Sequence, residues 1–210
     1  MTTSTIEAQK REAPTAAPLL FIDSLSITFG DQQVLRNISL KINSGETLVI
    51  LGESGCGKTV LLKTMIGLIH PTTVDVCFEN TSLASMAERQ LAHLRTRYGF
   101  VFQGAALFDS ATIAENIAFP LREHTQLDEE EIAKIVAELV AEVGLPRAVL
   151  TKKPVELSGG MRQRAMIAMA LSTMPKLLLA DEPTTALDVT IQAQVINLIK
   201  DIIKEYQMGA

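Results

Sequence analysis

A glycine-rich segment in the first third of the chain carries the clearest chemical signal. Residues 52–59 read GESGCGKT and match the spacing G-x-x-x-x-G-K-[ST] at every position. Glycines let the backbone approach phosphate oxygens, and the N–H groups at a helix start attract anions. Lys58 would reach the β- and γ-phosphates, and the Thr59 hydroxyl would hold Mg²⁺. The alternative is a glycine-rich turn with an incidental lysine. The predicted nucleotide contacts are Gly52, Glu53, Ser54, Gly55, Cys56, Gly57, Lys58 and Thr59.

Two carboxylates follow an apolar run later in the chain. Residues 177–182 read LLLADE, which places Asp181 and Glu182 at the carboxyl end of a predicted strand. Open α/β sheets bind ligands at that end of their strands. Asp181 would bind Mg²⁺, and Glu182 would polarise an attacking water as a general base. An ordinary acidic loop is the alternative.

A third segment, residues 157–161 (LSGGM), opens a predicted helix. A serine N-cap followed by two glycines makes another helix end that attracts anions. Ser158, Gly159 and Gly160 are therefore candidate phosphate contacts, and a plain helix N-cap is the competing interpretation.

The elements that must position these residues alternate between strands and helices. Residues 19–29 and 34–42 have the pattern of paired strands around a Gly-Asp turn. Residues 47–51 (TLVIL) predict a fully buried strand leading into the glycine-rich segment, and residues 177–180 predict a second one. Such alternation favours an α/β fold.

Apolar residues at helical spacing predict the helices. They run from Lys58 to His70-Pro71, over 86–97, from Asp128 to Gly144, from Ser158 to a point before Pro175, and over 189–206. The middle of the chain, about 104–156, is predicted to be mostly helical, and residues 74–80 are predicted to form a short strand. Residues 1–18 are polar and predict a flexible tail.

Composition narrows the class of protein. The chain has 210 residues, of which 19 are Lys or Arg and 24 Asp or Glu, so its net charge is −5. That balance argues against a nucleic-acid partner. A hydrophobic share of 47% excludes disorder over the whole chain. Two cysteines, Cys56 and Cys77, do not make a disulfide framework and favour a reducing compartment.

Taken in order, these motifs resemble those of the ATP-binding subunits of ABC transporters. The resemblance covers residues 19–210. It rests on Phe29, the Walker A loop 52–59, Gln103, the signature segment 157–161, the Walker B segment 177–182, and Ala186-Leu187-Asp188. It implies an α/β P-loop NTPase core with an N-terminal antiparallel β lobe and a helical lobe inserted at about 104–156.

The resemblance also implies roles for individual residues. Phe29 would stack on adenine, unless it is a core strand aromatic, and Gln103 would contact Mg²⁺ and the attacking water. Ser158, Gly159 and Gly160 would bind the γ-phosphate held by a second ATPase subunit in a head-to-tail dimer. Asp188 would contact that subunit or act as a helix N-cap. The expected catalytic residues are Glu182, Gln103 and Lys58, and the expected metal ligands are Thr59, Gln103 and Asp181.

Three departures from the family pattern are visible. Met161 stands where glutamine is usual, and Val74-Asp75 stands where a glycine is usual. The family continues past its last helix into a further core strand and a switch histidine, which residues 189–210 do not contain. We therefore expect a C-terminally truncated domain that exposes apolar sheet surface, binds ATP and hydrolyses it poorly.

Two blocks of the sequence resemble different transporter classes. Residues 48–127 look like the ATPases of Mla/Mce-type phospholipid transporters, and residues 154–198 look like those of oligopeptide and nickel importers. Residues 104–125 line the permease-docking region in the family and belong to the first block, which favours lipid transport. The implied partners are permease subunits at the cytoplasmic face of the inner membrane, with a lipid- or solute-binding protein.

Two other classes of function stay open from the sequence. One is a soluble ABC ATPase of DNA repair or translation, although such proteins often carry two cores or long insertions. The other is a truncated ATP-binding module with little hydrolysis.

Overall fold

The structure is a computed structural model that describes residues 7–8, 17–71, 75–104, 106–184 and 187–210. Most of the predicted tail, the Val74 position and Ala186 lie outside the described residues. The chain divides into two compact units. The first consists of Met1–Arg95 with Gln207–Ala210, and the second of Thr96–Tyr206.

An antiparallel sheet dominates the first unit. After the two-residue strand β1 (Glu7–Ala8) come β2 (Leu20–Phe29) and β3 (Gln32–Ile42), which pair along their length. Leu20 and Ile22 are buried, and so are Leu25 and Ile27. The inward face thus changes from even to odd positions at Ser24, where φ is +55° and the register shifts. Such a bulge allows one long strand to keep its apolar side chains in the core.

Short elements complete this unit. They are β4 (Ile50–Leu51), α1 (Lys58–Met65), β5 (Val76–Phe78), β6 (Thr81–Ser82), a 3₁₀ turn (Leu83–Ser85) and α2 (Glu88–Arg95). The antiparallel sheet has the order β3-β2-β5-β6. The expected N-terminal antiparallel lobe is therefore confirmed.

The prediction of a fully buried strand over 47–51 is wrong. Only Ile50–Leu51 form a strand, paired with Glu7–Ala8, and the side chains of Val49 and Leu51 are 59% and 65% exposed. The backbone of residues 46–48 is instead hydrogen-bonded to Ala210. Ala210 N donates to Glu46 O at 2.9 Å, and Leu48 N donates to Ala210 O at 2.6 Å. A β-branched apolar run becomes buried only where strands flank it and helices cover it.

The first helix ends earlier than predicted. Helix α1 stops at Met65, because Gly67 adopts a left-handed φ of +68°. Gly67 N donates to Thr64 O at 3.0 Å and Leu68 N donates to Lys63 O at 2.9 Å. These two bonds form a Schellman motif, which closes a helix at a glycine. The glycine, and not the later His70-Pro71 pair, is the stop signal.

The described residues of the second unit form a parallel strand pair and four α-helices. In chain order it contains β7 (Tyr98–Val101), α3 (Ile113–His124), α4 (Glu129–Glu142), α5 (Gly159–Leu171), β8 (Leu177–Ala180) and α6 (Val189–Tyr206). Two 3₁₀ turns, Arg147–Val149 and Pro154–Glu156, lie between α4 and α5. Strands β7 and β8 are parallel, as an α/β core requires.

Local signals predicted most of these helices well. Asp128 caps α4 by accepting from Glu130 N at 3.0 Å and Glu131 N at 2.9 Å, and Asp128 N donates back to the Glu131 carboxylate at 3.0 Å. This is the predicted capping box. Gly144 follows α4 with φ +68°, and α6 covers 189–206 as expected. In the part of the chain that the structure describes, no helix is both long enough and apolar enough to cross a membrane.

Close packing of α5 on β7 builds the core of this unit. A Cβ at Gly99 would lie 2.7 Å from Ala170 O, so only glycine allows the helix to approach the strand this closely. Ala165, Met166, Ile167 and Ala168 of α5 are fully buried. The parallel pairing of β7 with β8 sets the carboxyl ends of the two strands side by side.

Candidate functional site

The phosphate loop, residues 52–59, leads into α1 in the first unit. Gly55 and Gly57 have left-handed φ values of +80° and +100°, which side chains rarely allow. A Cβ at Gly57 would also lie 2.9 Å from Leu35 Cδ2, and a Cβ at Gly52 would lie 2.6 Å from Cys56 Sγ. Conformation therefore favours glycine at Gly55 and Gly57, whereas at Gly52 a Cβ would displace the Cys56 side chain.

Lys58 lies at the first position of α1 and folds back over the loop. Its Nζ donates to Gly52 O and to Glu53 O, both at 2.9 Å, and lies 3.9 Å from Cys56 Sγ. The first N–H groups of a helix have no acceptor within the helix. An ammonium group and the positive end of a helix dipole thus occur in one glycine-rich loop, an arrangement that binds anions such as phosphate.

Phe29 ends β2 in the same unit, opposite Gln32 of the hairpin. Its side chain is 50% exposed, so it is not the core strand aromatic that was the alternative to an adenine contact. An exposed ring offers a face for stacking.

The register of β7 and β8 in the second unit brings together residues 79 positions apart. Val101 lies opposite Ala180, and Asp181 N donates to Val101 O at 2.9 Å, which extends the ladder by one step. Gln103 Nε2 then donates to Glu182 Oε2 at 3.1 Å. We call Gln103, Asp181 and Glu182 the strand-end cluster.

Two features of the strand-end cluster are unusual for ordinary loop residues. Glu182 has a φ of +47°, a left-handed conformation that costs a residue with a Cβ about 1 kcal/mol or more. Asp181 is only 6% exposed, and a buried carboxylate is costly unless it is paired or binds a cation. Strain and burial of this kind concentrate at functional sites.

Asp181 has the donor chemistry that Mg²⁺ prefers. Mg²⁺ is usually held by one or two carboxylates, water and substrate phosphates, and not by a cage of protein ligands. Within the described ranges, no group of three or more His, Cys, Asp or Glu side chains could hold a metal. The Asp181 carboxylate is thus one ligand of the kind that Mg²⁺ takes beside water and phosphate oxygens.

The signature segment packs against the start of α6. Ser158 Oγ accepts from Met161 N at 3.4 Å and caps α5, and Asp188 Oδ1 accepts from Ile191 N at 3.0 Å. A Cβ at Gly160 would lie 2.7 Å from Ile191 Cγ2, and one at Gly159 would lie 3.2 Å from Leu187 Cδ2. Both N-cap interpretations are therefore confirmed, and the glycines allow α5 and α6 to come close together.

Sequence reasoning missed a buried polar residue in α3. Asn116 in α3 is 0% exposed, and its amide bonds to the loop that follows Gln103. The available signal was its position within the apolar stripe Ile113, Ile117 and Leu121. A polar residue on such a stripe must find hydrogen-bond partners when it is buried.

Residues 35–185 match the family described as "ABC transporter". The match covers well over half of the chain. The chain belongs to the ABC transporter family.

Three relatives show how broad this family is. The chain is 42% identical over 181 residues to "Probable ribonucleotide transport ATP-binding protein mkl" of Mycobacterium tuberculosis, which covers 86% of this chain and 50% of that protein. It is 37% identical over 182 residues to "Intermembrane phospholipid transport system ATP-binding protein MlaF" of Haemophilus influenzae. That match covers 87% of this chain and 69% of that protein. It is 39% identical over 201 residues to "Oligopeptide transport ATP-binding protein OppD" of Bacillus subtilis. That match covers 89% of this chain and 56% of that protein. This ABC domain spans about half the length of the mycobacterial relatives.

A solved structure has the same fold. The ATP-binding cassette MJ0796, in a dimeric post-hydrolysis state bound to ADP and Pi, superposes with a TM-score of 0.77 at 30% identity. The likeness covers 89% of this chain and 83% of that one. The expected α/β ABC ATPase fold is thus confirmed.

The tight contact between Gly160 and Ile191 generates a prediction. We expect Gly160→Ala to destabilise the ABC domain by about 1–3 kcal/mol, because the β-branched Ile191 cannot rotate its methyl group away. Urea unfolding would measure the change. Gly159→Ala is the control, since it meets only the flexible end of Leu187. In an Ile191→Ala background the cost of Gly160→Ala should disappear, and an equal cost in both backgrounds would contradict the assigned contact.

Proposed function

We propose that this ABC domain binds ATP with Mg²⁺ at the phosphate loop, hydrolyses it, and thereby energises a membrane transporter. The observation that carries this proposal is the strand-end cluster, where Gln103 donates to Glu182 beside the buried Asp181. A glycine-rich turn alone would not account for a strained glutamate held by an amide from a different strand.

The phosphate loop supplies nucleotide binding. Backbone N–H groups at the start of α1 and the Lys58 ammonium hold phosphate oxygens, while the Thr59 hydroxyl provides an oxygen donor for Mg²⁺. The exposed Phe29 ring stacks on the base. Mg²⁺, when bound, neutralises the charge that develops on the transferring phosphoryl group.

The strand-end cluster supplies hydrolysis. Glu182 accepts a proton from the attacking water, an effect worth about 10²–10⁴ in rate. Gln103 donates to the Glu182 carboxylate and can also bond to that water, so it orients both groups. Asp181, with its buried carboxylate, provides an anionic oxygen for Mg²⁺.

Family membership supports the proposed partners. The signature residues Ser158, Gly159 and Gly160 contact the γ-phosphate held by a second ATPase subunit in a head-to-tail dimer, and Asp188 reaches across that interface in addition to capping α6. Permease subunits hold the assembly at the cytoplasmic face of the membrane. A dimeric cassette among the structural neighbours supports this arrangement.

The transported substrate is proposed to be a phospholipid. Residues 104–125, the permease-docking region in the family, lie within the block that resembles lipid-transport ATPases, and a relative at 37% identity is named for phospholipid transport. Peptide import is the second candidate, because another relative at 39% identity is named for oligopeptide transport.

Loss of the Lys58 ammonium tests the phosphate loop. We expect Lys58→Ala to abolish or severely weaken ATP binding, because the β- and γ-phosphates lose their direct cation. Titration calorimetry with ATP would measure the affinity. Lys134→Ala, which removes an exposed lysine from α4, is the matched control and should bind ATP normally. Undiminished affinity in Lys58→Ala would refute the assigned loop.

Neutralising Glu182 separates binding from hydrolysis. We expect Glu182→Gln to keep ATP affinity and to lower the single-turnover rate of hydrolysis by about 10²-fold or more, because an amide cannot accept the proton of water. Release of radiolabelled phosphate would measure the rate. Glu123→Gln, the same change on the exposed face of α3, should leave the rate unchanged. A normal rate in Glu182→Gln would rule out the general base.

Copurification tests the substrate class. The native protein should be captured from gently solubilised membranes, with mass spectrometry of the accompanying proteins and lipids. We expect one type of permease, an Mce-like lipid-binding partner and enriched phospholipid. A pair of different permeases with a solute-binding protein and no lipid enrichment would instead support peptide or metal import.

A further inference from the structure

The side-chain amide of Asn116 forms all of its hydrogen bonds with one loop segment, residues 106–112. Asn116 Oδ1 accepts from Phe108 N at 2.7 Å, and Nδ2 donates to Phe108 O at 3.2 Å and to Thr112 O at 2.9 Å. A weaker contact joins Nδ2 to Ala111 O at 3.4 Å. The side chain therefore binds both polar groups of the Phe108 backbone, as a neighbouring strand would.

Burial makes these bonds strong determinants of conformation. Asn116 is 0% exposed, so water cannot replace a partner that moves away. An unpaired buried amide group costs about 1–3 kcal/mol. The segment 106–112 is therefore held in the one arrangement that satisfies the amide.

Two further contacts hold the ends of this segment. Ala106 N donates to Met166 Sδ at 3.2 Å, and Met166 is fully buried in α5. At the other end Thr112 and Glu115 form the capping box of α3, with Thr112 N donating to Glu115 Oε2 at 2.6 Å. Helices α3 and α5 thus hold the segment at its beginning, middle and end.

Gln103 lies three residues before the anchored Ala106. Three residues span at most about 10 Å, so the position of Ala106 limits where the Gln103 amide can go. On its other side Gln103 follows β7, whose end is bonded to Asp181 through Val101. Gln103 therefore lies between two fixed points, the Val101 carbonyl bonded to Asp181 and the Ala106 N–H bonded to Met166.

We propose that Asn116 is a positioning residue, which holds the segment 106–112 so that Gln103 stays within hydrogen-bond reach of Glu182. This inference rests on the proposed ATPase function, and it assigns Asn116 an effect on hydrolysis and none on nucleotide binding. Asn116 itself does not touch the reacting groups.

Asn116→Ala in the full chain is the first test. We expect the single-turnover hydrolysis rate to fall about 10- to 100-fold, the range that small misplacements of catalytic groups produce, with ATP affinity within about twofold of the parent. Hydrogen exchange at the Phe108 amide should accelerate, which is a readout independent of activity. Asn197→Ala, on the exposed face of α6, is the matched control and should change none of these quantities.

A double-mutant cycle with Gln103→Ala distinguishes positioning from a general structural role. If Asn116 acts through Gln103, Asn116→Ala should lower the rate only while Gln103 is present. An equal fall in both backgrounds, or no fall in either, would overturn the proposal. A parent protein that binds ATP but never hydrolyses it would refute the proposed function instead, and Phe108 exchange unchanged by Asn116→Ala would refute the anchor by itself.

Met166→Leu provides a second route if Asn116→Ala does not fold. Leucine conserves the buried volume and removes the sulfur that accepts from Ala106 N. We expect Met166→Leu to slow ATP hydrolysis less than Asn116→Ala does and to leave the affinity for ATP unchanged. This slowing should again occur only while Gln103 is present. A rate equal to that of the parent would count against the proposed positioning.

Discussion

The parallel ladder between β7 and β8 is the constraint on which the candidate hydrolytic chemistry depends. Its register sets Val101 opposite Ala180, and one further bond, from Asp181 N to Val101 O, carries the alignment past the end of β8. Gln103 and Glu182 consequently leave their strands side by side. A shift by one residue would turn these side chains to opposite faces of the sheet, because side chains alternate along a strand.

Helix α5 connects this strand pair to the other features of the second unit. It packs on β7 at Gly99, and its first residues, the signature segment, lie against Ile191. The sulfur of its Met166 accepts a hydrogen bond from Ala106 N. Its Arg164 also donates to Val143 O at 2.8 Å, at the negative end of the α4 dipole. This one buried helix thus begins with the signature segment and bonds both to the loop after Gln103 and to the end of α4.

Prediction succeeded where the signal was local and failed where it depended on neighbours. The capping box at Asp128, the serine cap at Ser158 and the extent of α6 follow from residues within one helical turn of each other. The end of α1 is an exception, because the glycine stop signal at Gly67 is itself local and lies before the His70-Pro71 pair. The burial of 47–51 was wrong because hydrophobicity and β-branching show a tendency to form a strand but not which segments will cover it.

The sequence by itself determined the phosphate loop, the acidic strand end and the signature segment, because each is a contiguous motif whose backbone preferences are local. Family membership follows from the same motifs. Only the tertiary structure decided that Gln103 meets Glu182, that Gly160 lies against Ile191, and that Asn116 holds the loop after Gln103. These contacts join residues distant in the chain or depend on burial, and both are set by strand register and helix packing rather than by any local pattern.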